Sequence, residues 1–374
     1  MSAYVRSINT TRGRSRDTDR FNTGTMTLVL SNKDDRFTPA NLSGPYVGGG
    51  VSQIRPGVVF KVEATWAGTT YPIFYGKADS WDDSYIGVGK DGITTVVVFD
   101  ALADLGGFDG LEQTAVGAGE LAGARISRIA VNAGFTGSTI LDTGVNTMQS
   151  TTLAQNALQD IGLTADSDGG YVWADASGAL VYHDQYAPLT KTRSNTSQFT
   201  FGPGASEVNY QDVNVSYDST LIFNVISFAR AGGTTYTTTN QDSVALYRKN
   251  LTYRRLDLIC ETDIQASTLA DAFLGKYKDA EYRIDDCMVN PAANPTINWP
   301  LVLNALIRDR VTGKVTAPGG TAISKQLFID GVSHSISDNG WRVQFLFSSA
   351  TFWAQFTSVG LWDSGVWDTS VWYV

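Results

Sequence analysis

Between Val58 and Trp66 the apolar residues Val58, Phe60, Val62, Ala64 and Trp66 alternate with Val59, Lys61, Glu63 and Thr65. A period of two marks a strand with one buried and one wetter face, and it narrows the folds open to this chain more than any other feature. Pro56 and Gly57 turn the chain just before it. Met26, Leu28 and Leu30 alternate in the same way, Tyr71, Ile73 and Tyr75 repeat the pattern, and Val96 to Phe99 is a short wholly apolar run. Four such strands in the first hundred or so residues imply a small barrel. Composition agrees: charged residues are 17% of the chain and hydrophobic ones 43%, with 37 glycines and many Thr, Ser, Val, Tyr, Phe and Trp. That usage excludes disorder and favours pleated surfaces.

From Asp100 to about Gln198 the period changes. Leu153, Ala157, Leu158 and Ile161 share one helical stripe, with Ser150 and Thr151 as capping candidates and Gly162 as its stop. Ile126, Ile129 and Ala130 form a second stripe that ends before Gly134. YVWADASGALVYH reads as a hairpin from Tyr171 to His183 with its turn at Asp175 to Gly178. Strands resume in VNYQDVNVSYD and NVISFARAGG, then a helix carries Leu269, Ala270, Phe273 and Tyr277 on one face behind Asp263 or Ser267 as caps. WPLVLNALIRD, QLFIDGVSHSIS and the alternation Trp341, Val343, Phe345, Phe347 then read as a further β domain. At 374 residues, more than one domain is expected. The expected fold is mainly β (α+β). Residues 1–100 with 199–240 form a first barrel, 101–198 an α/β insertion, 241–352 a second β domain, and 353–374 a Trp-rich extension.

The net charge of −9 excludes a nucleic-acid clamp, which needs clustered Lys and Arg against phosphate. No apolar run reaches signal-peptide or membrane-span length, so the chain is expected to be made and kept in a cytoplasm. Cys260 and Cys287 have no second pair for a zinc site and read as two buried thiols. Asp166, Asp168 and Asp175 are the nearest thing to a catalytic carboxylate set, but DSDGG before a strand and ADASG at a hairpin tip are turn chemistry. Calcium-loop spacing places Gly170 and Ser177 where ligands belong. His183 and His334 sit in apparent strands with no nucleophile elbow, and GAGELAGAR lacks the phosphate-loop spacing. The expectation is no catalytic, cofactor or metal site.

Two features point to partners instead. In RGRSRDTDR, Arg12, Arg14 and Arg16 recur every second residue, so an extended arm would project them to one side. Asp17 and Asp19 neutralise it, and salt bridges to an acidic neighbouring surface are the plainer reading. At the other end, LWDSGVWDTSVWYV repeats W-D-x-x-V with Trp362, Trp367 and Trp372 five residues apart. That spacing suits neither one helix face nor one strand face. With Asp363 and Asp368 at turns between anchors, the segment is expected to dock onto another component of its assembly or a neighbouring subunit, the alternative being its own second barrel beside Phe352, Trp353 and Phe356.

RGRSRDTDRFNTGTMTLVLSNKDDRFTPAN, followed by IRPGVVFKVEATWAGTTYPIFYGKADSW, resembles the opening of minor tail proteins from long-tailed phages of actinobacteria. The hairpin ADSDGGYVWADASGALVYHD, NVISFARAGG, DSVALYRKN, the Leu269 to Tyr277 helix and IDGVSHSISDNGWRVQF extend the resemblance in order along nearly the whole chain. It implies a tail hub, related in architecture to baseplate hubs of contractile tails and to type VI secretion spikes. Such hubs are homotrimers with two tube-like β-barrel domains per subunit, which adapt a hexameric tube to a threefold tip. The implied location is the virion's tail tip, assembled in the host cytoplasm. The implied partners are the distal tail protein, the tape measure protein and other tail-tip minor tail proteins, with DNA passing through unbound. Many hubs carry C-terminal hydrolase or receptor-binding domains. This chain stops soon after its second β domain, so neither wall degradation nor host recognition is expected of it. A hexameric distal tail protein, a carbohydrate-binding protein and a wall-degrading glycosidase are the alternatives.

Overall fold

The computed structural model describes residues 2–356 and the backbone of 358–360 and 370–372. Five long strands come first: β1 (Val5–Gly13), β2 (Asn22–Ser31), β3 (Val59–Trp66), β4 (Thr69–Ile86) and β5 (Asp91–Phe99). They pair antiparallel in the order β1-β2-β5-β4-β3. The period-two reading holds at the level of single side chains. Met26, Leu28, Leu30 and Phe60 are buried while Val59, Lys61, Glu63 and Thr65 are exposed. The run Val96 to Phe99 also alternates, with Val96 and Val98 in the core and Val97 and Phe99 half-buried.

The segment 101–198 carries α1 (Ala101–Gly106), α2 (Ala122–Asn132), α3 (Ala157–Asp168) and the hairpin β6 (Tyr171–Ala174) and β7 (Leu180–His183). Ile126, Ile129, Ala130, Ile161 and Ala165 pack with Leu102, Leu105, Leu180 and Tyr182 into one core. The start and stop expected for α3 are corrected. Thr151–Leu153 is a strand, and Asn156 is the cap, its side-chain oxygen accepting from the Gln159 N–H at 2.9 Å. Gly162 lies inside the helix, with the Arg20 side chain passing over it: a Cβ there would sit 2.9 Å from Arg20 Nη1. The helix stops at Gly169, whose φ of +71° is the left-handed conformation that favours glycine.

The rest comprises β8 (Asp212–Ser216), β9 (Val225–Arg230), β10 (Tyr236–Thr239), β11 (Thr252–Leu258), α4 (Asp263–Tyr277), β12 (Arg283–Val289), α5 (Pro295–Leu303), β13 (Arg310–Thr316), β14 (Ala322–Ser337) and β15 (Gly340–Ser349). The cap of α4 is Thr262, not Asp263 or Ser267: Thr262 Oγ1 accepts from Gln265 N while Gln265 Oε1 accepts from Thr262 N, a capping box. Part of WPLVLNALIRD is the helix α5, not a strand. Its Pro295 fits the first helical turn, where no N–H is needed.

Nine of these strands follow the path β8-β12-β15-β14-β1-β2-β5-β4-β3, and with β13 on β14 and the short strand Thr200–Phe201 on β13 they make one eleven-stranded sheet, while β6 with β7, and β9 with β10 and β11, belong to separate small sheets. Along one edge of β14, residues 322–328 pair with β13 and residues 331–337 pair with β1. The partner changes at Asp330 and Gly331, where Gly13 approaches so closely that a Cβ on it would lie 2.1 Å from Asp330 O. Because β14 is shared by both halves, the sheet continues rather than closing. Among the described strands the path is open, ending at β3 and β8, in place of the two expected barrels. Strands from 199–240 pair with later strands, β8 with β12 and β9 with both β10 and β11, and not with β1 to β5 as expected.

Candidate functional site at the junction of sheet, insertion and helix α4

The loop that follows β1 carries the expected basic arm, and the structure turns most of it inward. Arg14 is buried: its Nε and Nη2 donate to Asp330 Oδ2 at 2.9 and 2.7 Å, and Nη2 also meets Asp17 Oδ1 at 2.7 Å. Its Nη1 donates to the Asp17 and Asp19 carbonyls at 2.6 and 3.0 Å. Asp330 Oδ1 accepts from Arg308 Nη1 at 2.7 Å, and Asp17 Oδ2 accepts from the Tyr277 hydroxyl at 2.7 Å and pairs with Lys276 Nζ at 2.8 Å. The result is a chain Lys276, Asp17, Arg14, Asp330, Arg308 that ties the β1–β2 loop to β14 and α4. Tyr171 of β6 lays its ring 4.6 Å from the Arg14 guanidinium and 4.4 Å from that of Arg308.

Three cations share two carboxylates, and the titrations follow. Burial alone would raise the Asp17 carboxyl, but Lys276 and Arg14 outweigh it and hold Asp17 well below the usual carboxylate range. Burial likewise opposes the charge on Arg14, and Asp330 and Asp17 overcome it. The Tyr171 hydroxyl is acidified in spite of burial by Lys276, Arg14 and Arg308. Buried ion chains of this kind add little over an apolar core, yet they fix one geometry, because breaking one pair strands a charge.

Arg12, Arg14 and Arg16 therefore do not project together from an arm. Arg12 is buried, its basicity lowered by burial in spite of Asp100 and Asp175 nearby, while Arg16 is exposed. Salt bridging is what Arg14 does, but within its own chain.

Beside the junction lies a cleft of about 600 Å³ between residues 14–22, the end of α3, β11 and α4. Asp166 Oδ2 accepts from Arg20 Nε at 2.8 Å and from Arg255 Nη1 at 3.0 Å, and Arg255 Nε donates to Asp257 at 2.8 Å. Tyr253 and Phe273 stack with centroids 4.5 Å apart, and Phe352 and Trp353 form another wall.

The three carboxylates weighed as catalytic groups serve separate structural ends. Asp166 holds the two arginines. Asp168 is buried and accepts from Val145 N at 2.8 Å, Asn146 N and the Tyr182 hydroxyl; burial pushes its carboxyl up to about 6 against those bonds. Both belong to the last turn of α3 rather than to a loop. Asp175 closes the hairpin turn, accepting from Ser177 N and Ala179 N at 2.8 and 2.9 Å. His334 is buried and lowered to about 3 by burial; its Nδ1 accepts from Trp341 Nε1 at 3.1 Å. His183 meets the Trp173 ring edge-on at 4.8 Å and is lowered to about 4, again chiefly by burial. Cys260 and Cys287 are both buried and free. Among the described residues no group of three or more His, Cys, Asp or Glu is placed to hold a metal ion, and no helix is long and apolar enough to cross a membrane.

Sequence reasoning missed Asp330, Arg308 and Lys276. A signal existed for the first: an aspartate that directly follows the apolar run Leu327, Phe328 and Ile329 and precedes Gly331 and Val332 needs a buried partner. Trp362, Asp363, Trp367 and Asp368 lie outside the described residues, and of Trp372 only the backbone is described, in a strand Ser370–Trp372 parallel to Ser358–Gly360.

No family model matches the chain, and no curated protein matches it. Solved structures do. The 43 kDa tail protein of prophage MuSo2 from Shewanella oneidensis is 15% identical with a TM-score of 0.58, the match covering 92% of this chain and 94% of that one. A tail protein from Neisseria meningitidis MC58 is 12% identical with a TM-score of 0.60, covering 94% of each chain. The architecture is thus one found in phage tail proteins, shared over nearly the full length of both chains.

Proposed function

We propose that this chain is a structural subunit of a bacteriophage tail tip, the hub type of minor tail protein, and not an enzyme. It adapts the tail tube to a threefold tip and borders the channel through which DNA leaves. The observation that carries the reading is the fold shared end to end with two tail proteins. The sequence resemblance to minor tail proteins points the same way. In this reading three copies assemble as a homotrimer in the virion, each contributing β1 to β5 and the strands around β12 to β15 as two related tube units. The insertion and α4 clamp those units together through the buried ion chain. The ring meets the distal tail protein, the tape measure protein and other minor tail proteins. The net charge of −9 suits a channel wall that lets DNA slide without binding it.

The separate structural employment of Asp166, Asp168 and Asp175 supports a role without catalysis. The test is the mass of the purified chain by multi-angle light scattering. A trimer is expected. A hexamer would favour a distal tail protein, and a monomer a carbohydrate-binding or wall-degrading protein.

A further inference from the structure

We propose that Thr10, Arg12 and His334 form a buried site for a small inorganic anion, a halide such as chloride, at the seam where β1 joins β14. Thr10 and Arg12 are two residues apart on β1 and share one face of the sheet. His334 of β14 stands directly opposite Thr10 in the register, on that same face. These residues are 2%, 5% and 4% exposed, so a ligand among them is cut off from bulk water.

What these residues offer is hydrogen-bond donors. Arg12 Nε and Thr10 Oγ1 are both buried and meet no hydrogen-bond partner among the described residues. A guanidinium N–H can only donate, and leaving one unmet in the interior is costly. The His334 ring adds another donor. Its Nδ1 accepts from Trp341 Nε1 at 3.1 Å, and burial together with the Arg12 charge keeps the ring neutral, so its hydrogen is on Nε2.

Charge points the same way. Asp100 and Asp175 are the carboxylates whose charge reaches Arg12, and both are engaged elsewhere. The Arg12 stem crosses β2 at Gly24, where a Cβ would lie 3.0 Å from Arg12 Cγ and 2.4 Å from Asp100 Oδ2. That brings Asp100 near, but its oxygens accept from Gly24 N at 2.7 Å and Leu102 N at 3.0 Å. Burial also holds its carboxyl up to about 7, so near neutral pH it is only partly ionised. Asp175 Oδ1 is taken by Ser177 N, Ser177 Oγ and Ala179 N. A water molecule does not meet the need, because it brings no charge and has two hydrogens of its own to place, whereas Arg12 Nε and His334 Nε2 only donate. A halide accepts from all these donors and neutralises the guanidinium. Phosphate or sulfate would have to shed a far larger hydration shell to enter so enclosed a place. The site stands independently of the hub reading.

Bromide is the probe, used on the full chain. Crystals grown in sodium bromide should show an anomalous peak at the bromine edge enclosed by Thr10, Arg12 and His334. In solution, exchanging gluconate for bromide at fixed ionic strength should raise the melting temperature saturably, as binding to the folded state requires. Arg12→Met keeps the length of the stem and removes both donor and charge, and it should abolish that rise. Thr10→Val is the gentler change, for use should Arg12→Met not fold, and it should weaken the apparent bromide affinity about tenfold. No anomalous peak at the seam, or peaks on surface residues that mark an adventitious ion only, would overturn the proposal. So would a bromide response that the folded variants keep in full. Each of these results leaves the trimer measurement untouched.

Discussion

Asp330→Asn isolates the energetics of the junction. The substitution keeps the shape and removes the charge that Arg14 meets at 2.7 Å and Arg308 at 2.7 Å. Arg14 retains Asp17, whereas Arg308 is left, among the described residues, with the Tyr171 and Phe328 rings at 4.4 and 4.2 Å. A buried guanidinium left without its counter-ion costs about 3–5 kcal/mol, a large part of the roughly 5–15 kcal/mol that holds a folded domain. The matching experiment is urea unfolding followed by tryptophan emission, run on Asp330→Asn, Arg308→Met and the double variant. Each single change should lower the midpoint strongly. The double should cost about 1–3 kcal/mol less than the sum, because it removes both members of one pair. A loss below about 1 kcal/mol for Asp330→Asn, or strict additivity, would refute the view of Asp330 as the shared counter-ion.

Asp100 is buried at the start of α1, and burial holds its carboxyl up to about 7 although Gly24 N and Leu102 N donate to it. Its unfolded value is about 3.9, so it contributes stability below that pH which is lost as pH rises through 7. Asp100→Asn should therefore gain on the parent between pH 4.5 and 7.5 in urea midpoints, and a constant difference between the two chains would contradict this. Asp168→Ala should destabilise by about 2–4 kcal/mol, since it strands Val145 N, Asn146 N and the Tyr182 hydroxyl. Thermal melts of the chain check it, and a loss under about 1 kcal/mol would count against the hydrogen-bond account. Burial pushes the Cys260 thiol up to about 11 and Cys287 well above the ordinary range, so an aromatic disulfide reagent at pH 8 should label both only in denaturant. Prompt labelling of the folded chain would be the opposite result.

What the sequence made legible was whatever one element decides alone. The alternation of β3, the stripe of α2, the Tyr171 to His183 hairpin and the apolar face of α4 each follow from a local period, and each is present. DSDGG misled because a helix that ends in a left-handed glycine and a turn before a strand use the same residues. WPLVL misled because a short apolar run carries no period to tell helix from strand. Pairing partners far apart in sequence left no local trace: β14 divides one edge between β13 and β1, and nothing in either strand's pattern announces it.

The junction was half legible, and the half that was missed has a physical handle. Contrary to the local reading of the segment, Asp17 and Asp19 are too few to balance Arg12, Arg14, Arg16 and Arg20, and the surplus must find anions elsewhere or face water. An aspartate that directly follows an apolar run must find a cation or stay protonated. Arg14 and Asp330 stand 316 residues apart and meet each of those requirements in the other. Lys276 answers the same logic on α4: it follows a helix face of Leu269, Ala270 and Phe273, so its ammonium is carried toward the interior and needs the carboxylate that Asp17 supplies at 2.8 Å. Unmatched charges in otherwise apolar surroundings are thus a long-range pairing signal in their own right. Here they would have joined the first β segment, β14 and α4 into one buried chain before any strand order was known.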